Sequence, residues 1–94
     1  MMLIQQKSIG SKEMFYVEQD GKVVAEMVYT SPSPDKMVIE HTEVDDSLQG
    51  KKVGYQLVHR GVEYAREHGM KIVPMCSFAR AVFNKTSDFN DVLA

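Results

Sequence analysis

The most periodic segment of the chain lies between two β-like runs, and that placement constrains the fold more than any other feature. Apolar or small residues recur at Val53, Leu57, Gly61, Tyr64 and Ala65, and again at Gly54, Val58 and Val62. Lys51, Gln56, Glu63, Arg66 and Glu67 fall largely off this stripe. Such spacing marks the buried face of an amphipathic helix. Gly69 is its stop signal, and Arg66 and His68 suit the negative end of the helix. Met37–Val44 precedes it as a strand, apolar in its first half and alternating in its second. Met70–Met75 follows it as a short apolar strand that ends near Pro74. A strand–helix–strand unit makes its two strands parallel neighbours joined by a right-handed crossover.

Upstream the chain reads as further strands, at Met2–Gln6, 13–19 and 22–30. Asp20-Gly21 separates the last two, and an Asp-Gly pair between such runs signals a tight hairpin whose central residues need positive φ. Ser31-Pro32-Ser33-Pro34-Asp35 is a turn cluster. Downstream, Ser77 is expected to cap a last helix from Phe78 to about Lys85, and Ser87–Ala94 fits no single pattern. The predicted fold is therefore a mixed α/β domain spanning 1–94, in the order β-β-β-β-α-β-α. An antiparallel meander joins a parallel pair, with no repeat or linker.

Composition removes several function classes. The chain has 94 residues, 44% hydrophobic and 26% charged, a globular balance. Its formal net charge of −2 makes it a poor candidate for a general nucleic-acid binder. A single cysteine excludes an intramolecular disulfide and a multi-cysteine metal site. The histidines are widely spaced, so no metal is expected. The opening residues carry neither a signal peptide nor a membrane span, which points to the cytoplasm. An exposed sheet edge leaves a homodimer open.

The junction from strand to helix is the most informative place for chemistry. It reads Leu48-Gln49-Gly50-Lys51-Lys52-Val53-Gly54-Tyr55. A helix start offers unpaired N–H groups and a partial positive charge. Two lysines there are mildly unfavourable unless an anion is bound, and a phosphate would resolve the conflict. Gly50 and Gly54 permit close backbone approach. The plain alternative is a turn glycine followed by solvated lysines.

These residues carry a family resemblance. His41-Thr42-Glu43-Val44, Leu48–Gly54, Tyr64-Ala65-Arg66 and Ile72–Phe78 together resemble the GNAT acetyltransferase superfamily, in its small single-domain branch. The family pattern Gln/Arg-x-x-Gly-x-Gly/Ala opens the central helix and holds the pyrophosphate of coenzyme A on backbone amides. Gln49 and Gly54 match its ends, and Lys52 stands where its first glycine is usual. The resemblance implies that residues Gln49, Gly50, Lys51, Lys52, Val53, Gly54 and Tyr55 bind the coenzyme. It also implies that the backbone near Glu43 and Val44 holds the pantetheine arm, and in the acetyl-transfer reading a backbone N–H near Val44 would hold the carbonyl oxyanion. A second family pattern ends in a tyrosine that protonates the departing thiolate, and here Phe83 occupies that position and cannot donate a proton.

Three residues are candidates for catalysis. Cys76 is expected at the end of the fifth strand beside a helix start, an environment that favours thiolates. It could accept the acetyl group covalently or merely line the site. Equally, a lone cysteine often serves as a small buried hydrophobe. His41 and Glu43 share one face of the fourth strand and could deprotonate an amine, or form a solvated hydrogen-bond network. His59 and His68 read as surface or cap residues, and the methionines as core filler. The leading expectation is an acetyl-CoA-dependent N-acetyltransferase acting on an unidentified amine. Its acceptor pocket would be open or completed by a partner, because little chain precedes the first hairpin. A non-catalytic coenzyme-binding or protein-interaction module, and a scaffold whose lysines contact RNA phosphates, are the alternatives.

Overall fold

The computed structural model describes residues 2–94. Its strands are β1 (Gln5–Ile9), β2 (Lys12–Gln19), β3 (Lys22–Ser33), β4 (Lys36–Val44) and β5 (Lys71–Pro74). The helices are α1 (Val53–His68) and α2 (Ser77–Lys85), with short 3-10 turns at Asp46–Leu48 and Ser87–Val92. The five strands lie in sequence order in one sheet. Neighbours are antiparallel as far as β4, and β4 and β5 are parallel. The mixed sheet and the crossover are as the sequence predicts. Asp20 and Gly21 have φ of 53° and 76°, the conformation required by the hairpin between β2 and β3.

Several local expectations are corrected, and the segment left without a pattern is resolved. The first strand starts at Gln5 rather than Met2, because a turn at Gly10, with φ of 59°, sets the register that pairs Gln5 with Tyr16 and Ile9 with Lys12. Met2 and Ile4 pack half-buried against the core from outside the strand. The third strand runs through Ser31 and Pro32 to Ser33, with Pro32 in an irregular stretch of the ladder where its missing N–H is tolerated. The cap of α2 is Cys76, not Ser77: the Cys76 sulfur accepts from the Ala79 N–H at 3.4 Å. The C-terminal segment is ordered structure, with Phe89 and Val92 buried and Ala94 N–H bonded to Ile72 O at 2.9 Å. Arg66 clamps it by two bonds to the Asp91 carboxylate, at 2.9 and 2.8 Å, and this pairing holds the Asp91 carboxyl below its ordinary pKa. Met75 also departs from the filler role, being 59% exposed.

Both helices and the last 3-10 turn pack into one apolar cluster with Phe15, Val17, Met27, Tyr29, Ile39 and Ile72 of the sheet. These residues share one sheet face. Tyr29 is buried there, its hydroxyl accepting from Gln6 Nε2 at 2.6 Å, and burial pushes its pKa up to about 12. The helix lies close to the sheet at Gly61, where an added Cβ would sit 2.8 Å from Met27 Cε. The neighbouring Met37 is also fully buried, so little room exists for adjustment. Gly61→Leu is expected to cost about 1–3 kcal/mol through overpacking, read as a lower urea midpoint at constant slope.

One irregularity in the ladder positions the site. Val28 pairs with His41, but Tyr29 pairs with Ile39, so Glu40 is an extra residue in β4. A bulge of this kind shifts which residues face the core. Before it, Met37 and Ile39 are the buried residues. After it, Thr42 and Val44 take that side, opposite buried Met27 and Ala25, while His41 and Glu43 turn to the other face.

Candidate functional site

The last parallel pair between β4 and β5 is Ile39 with Pro74. The amides of Met75 and Cys76 then both reach Ile39 O, at 2.9 and 3.3 Å, and the chain turns away into α2. Strand β4 continues alone on that side. Asp45 N–H donates to Val24 O at 2.8 Å. By antiparallel alternation, the backbone groups of Val44 and Thr42 therefore point away from β3 into the opened gap, whereas those of Glu43 point toward β3. In the gap, Val44 O meets Gln49 Nε2 at 3.4 Å.

The start of α1 closes one end of this gap. Gly50 has φ of 82°, and Lys52 has φ of 57° and ψ of 31°. The backbone at Lys52 is thus left-handed, a conformation that glycine adopts freely and that costs another residue roughly 1–2 kcal/mol. This accounts for the glycine expected there from the resemblance. The first backbone bond into the helix is from Gln56 N–H to Lys52 O, at 3.0 Å, and no side chain caps the helix start. The amides of Val53, Gly54 and Tyr55 consequently have no backbone acceptor among the described residues. They are directed donors reinforced by the helix dipole, a donor set suited to phosphate oxygens. Gly54 also allows α2 to approach: a Cβ there would lie 2.5 Å from the Phe78 ring.

Between these elements runs a cleft of about 910 Å³. Thr42 and Val44 line it from β4, Gln49 to Tyr55 (Lys51 excepted) from the junction, and Phe78, Ala81, Val82, Lys85 and Thr86 from α2 and its end. Its lining includes two lysines and no carboxylate. That is a marked bias in a chain with 13 acidic residues. Of the predicted coenzyme-binding residues, Val44, Gln49, Gly50, Lys52, Val53, Gly54 and Tyr55 meet here. Lys51 is exposed and not part of the lining, its backbone being used within the turn through Leu48 O and Gln56 Nε2.

Cys76 stands where β5 becomes α2, half-buried, with its sulfur 3.5 Å from Thr42 Oγ1. Thr42 belongs to the cleft lining and Cys76 does not, so the thiol lies beside the lining rather than in it. Sequence reasoning did not single out Thr42, because only the bulge turns it inward. His41 and Glu43 lie on the opposite sheet face. His41 Nε2 is 3.6 Å from Glu43 Oε1 and 3.9 Å from Glu26 Oε2. Glu26 joins them as the cross-strand partner of Glu43, a contact that follows from register rather than from spacing along the chain. Potential ligand atoms of the three residues lie within 4.8 Å of one another, although they are exposed or half-exposed. Phe83 is buried in the core, with its ring edge-on to Phe89 at 5.9 Å, away from the cleft lining. No helix among the described residues is long and apolar enough to cross a membrane.

A family model described as GCN5-related N-acetyl-transferase matches residues 14–92. Among solved structures, the chain resembles a GCN5-like N-acetyltransferase candidate from Staphylococcus aureus, with 34% identity and a TM-score of 0.75, covering 96% of this chain and 87% of the other. It also resembles an IAA acetyltransferase from Bacillus cereus, with 27% identity, a TM-score of 0.60 and coverage of 81% and 54%. A GNAT family acetyltransferase from Elizabethkingia anophelis with acetyl-CoA bound shares the fold, with 16% identity, a TM-score of 0.60 and coverage of 81% and 52%. The chain thus spans about half the length of the latter two. No curated protein matches it.

Proposed function

The chain belongs to the GCN5-related N-acetyltransferase family, and on that premise we propose that it transfers the acetyl group of acetyl-CoA to an amine by way of Cys76. The observation that carries this reading is the meeting of three features at one cleft: the free amides at Val53–Tyr55, the edge of β4 at Thr42 and Val44 that no strand covers, and the Cys76 thiol, outside the lining but 3.5 Å from Thr42 Oγ1. Free amides at one end suit the diphosphate. The strand edge suits the amide groups of the pantetheine arm, which would extend β4 as a neighbouring strand does.

In the first step the Cys76 sulfur attacks the thioester carbonyl. The new carbon–sulfur bond forms, the bond to the coenzyme sulfur breaks, and the coenzyme leaves as its thiolate. Cys76 reacts as its thiolate, having given its proton to solvent before attack. The Val44 N–H is the donor placed for the developing oxyanion. In the second step an amine attacks the acetylated Cys76 and the cysteine thiolate departs. We assign the amine proton to His41, which lies beside Glu26 and Glu43 on the opposite sheet face, so that the acceptor enters from that face through the gap beyond Ile39. Because no helix covers that face among the described residues, the acceptor can be large as well as small.

Acetyl-CoA titration tests the binding half of the reading. Backbone amide shifts are expected at residues 50–55 and at Thr42 and Val44. At a hundredfold excess over Kd, linkage gives about 2.7 kcal/mol, roughly 14 °C of added Tm in a domain of this size. Unmoved amides at residues 50–55 would refute coenzyme binding. Binding without acetyl transfer to any amine would instead identify a non-catalytic coenzyme-binding module.

A further inference from the structure

The cleft continues past the helix start, and its far end has a composition of its own. Lys85 and Thr86 line it there, at the end of α2, together with Ala81. Lys85 is exposed and takes part in none of the ion pairs found among the described residues. The other lysine of the lining, Lys52, sits at the start of α1. The two cations thus come from different elements, the start of α1 and the end of α2, in a cleft lined by no carboxylate. The amides of Val53–Tyr55 account for the diphosphate, and the thioester arm lies toward Thr42 and Cys76. The nucleotide must then leave in the remaining direction, toward α2's end. Tyr55 flanks that path, 38% exposed and held by stacking on His59 and Phe89 at 6.2 and 5.9 Å. It offers a fixed aromatic surface for a purine. The ribose of coenzyme A carries a 3′-phosphate, a doubly ionisable group that needs a cation when it is brought against a protein surface.

We propose that Lys85, assisted by the Thr86 hydroxyl, holds the ribose 3′-phosphate and makes the cleft selective for the 3′-phosphorylated coenzyme. This inference rests on the coenzyme reading above and adds a specificity determinant to it. A lysine in the last turn of α2 also suits the helix dipole without any ligand, and the experiment separates the two roles. Isothermal titration is carried out with acetyl-CoA and with acetyl-dephospho-CoA, on the wild type, Lys85→Ala and Lys85→Arg. The wild type is expected to prefer acetyl-CoA by about tenfold. Lys85→Ala should lose that preference while keeping its affinity for the dephospho compound, and Lys85→Arg should retain it. Equal affinity of the wild type for both compounds would overturn the proposal and leave the coenzyme reading standing. So would an equal loss for both compounds in Lys85→Ala, which would assign the lysine a structural role. Failure of the wild type to bind either compound would overturn the coenzyme reading and this proposal with it.

Discussion

Cys76→Ser is expected to yield a protein at least as stable as the wild type that forms no acetyl-enzyme. The sulfur has two roles that serine divides. Structurally it caps α2, accepting the Ala79 N–H at a long 3.4 Å. Serine is among the strongest capping residues, and a serine cap is worth about 1 kcal/mol over alanine. The substitution should therefore hold or raise Tm, while Cys76→Ala lowers it. Chemically, an alcohol beside Thr42 is a far weaker nucleophile than a thiolate, and no basic side chain adjoins Cys76 among its described contacts to activate it. Turnover should fall by roughly 10³-fold or more, the scale seen when an activated nucleophile is removed. Intact-mass measurement after incubation with acetyl-CoA alone should show one added acetyl group on the wild type and none on either variant. Wild-type turnover by Cys76→Ser would remove the relay and leave direct attack by the amine.

Serine as the better cap also explains why the sequence pointed one residue too far. Ser77 is the residue type that caps helices, and Cys76 is not. The main-chain position decided otherwise: Cys76 has extended φ and ψ, −78° and 148°, as a cap requires. Patterns confined to one element were legible, including the α1 stripe, the Asp20-Gly21 turn and the crossover that makes β4 and β5 parallel. What depended on pairing between elements was not. The bulge at Glu40 has no signature in residues 37–44, yet it alone puts Thr42 in the cleft and His41 on the outer face. The meeting of Glu26 with His41 is likewise a matter of register. The tail was opaque for another reason. Phe89 and Val92 are too few to establish a period, and their burial rests on packing against residues of other elements, Tyr55 and Phe83 among them.

Gly54→Val is expected to weaken acetyl-CoA binding on the order of a hundredfold, about 2.7 kcal/mol. Two effects contribute, and they can be separated. The new Cβ would fall 2.5 Å from the Phe78 ring, so the ring must move. Phe78 is 42% exposed and forms part of the cleft wall, so it can move at modest cost, but only by reshaping the space the coenzyme needs. The second effect is direct: a branched side chain in the first turn of α1 stands among the amides of Val53, Gly54 and Tyr55 and hinders phosphate approach. A double-mutant cycle with Phe78→Ala apportions them, since residues in contact couple by 0.5–3 kcal/mol in typical cases, roughly the range a displaced ring would produce. If ring displacement dominates, the double variant recovers most of the affinity. If backbone access dominates, it recovers folding stability and not binding. The second result is expected, because the donors most suited to the diphosphate are main-chain groups that no side-chain deletion on α2 can uncover. Near-wild-type affinity in Gly54→Val alone would show that the diphosphate does not sit on this helix start.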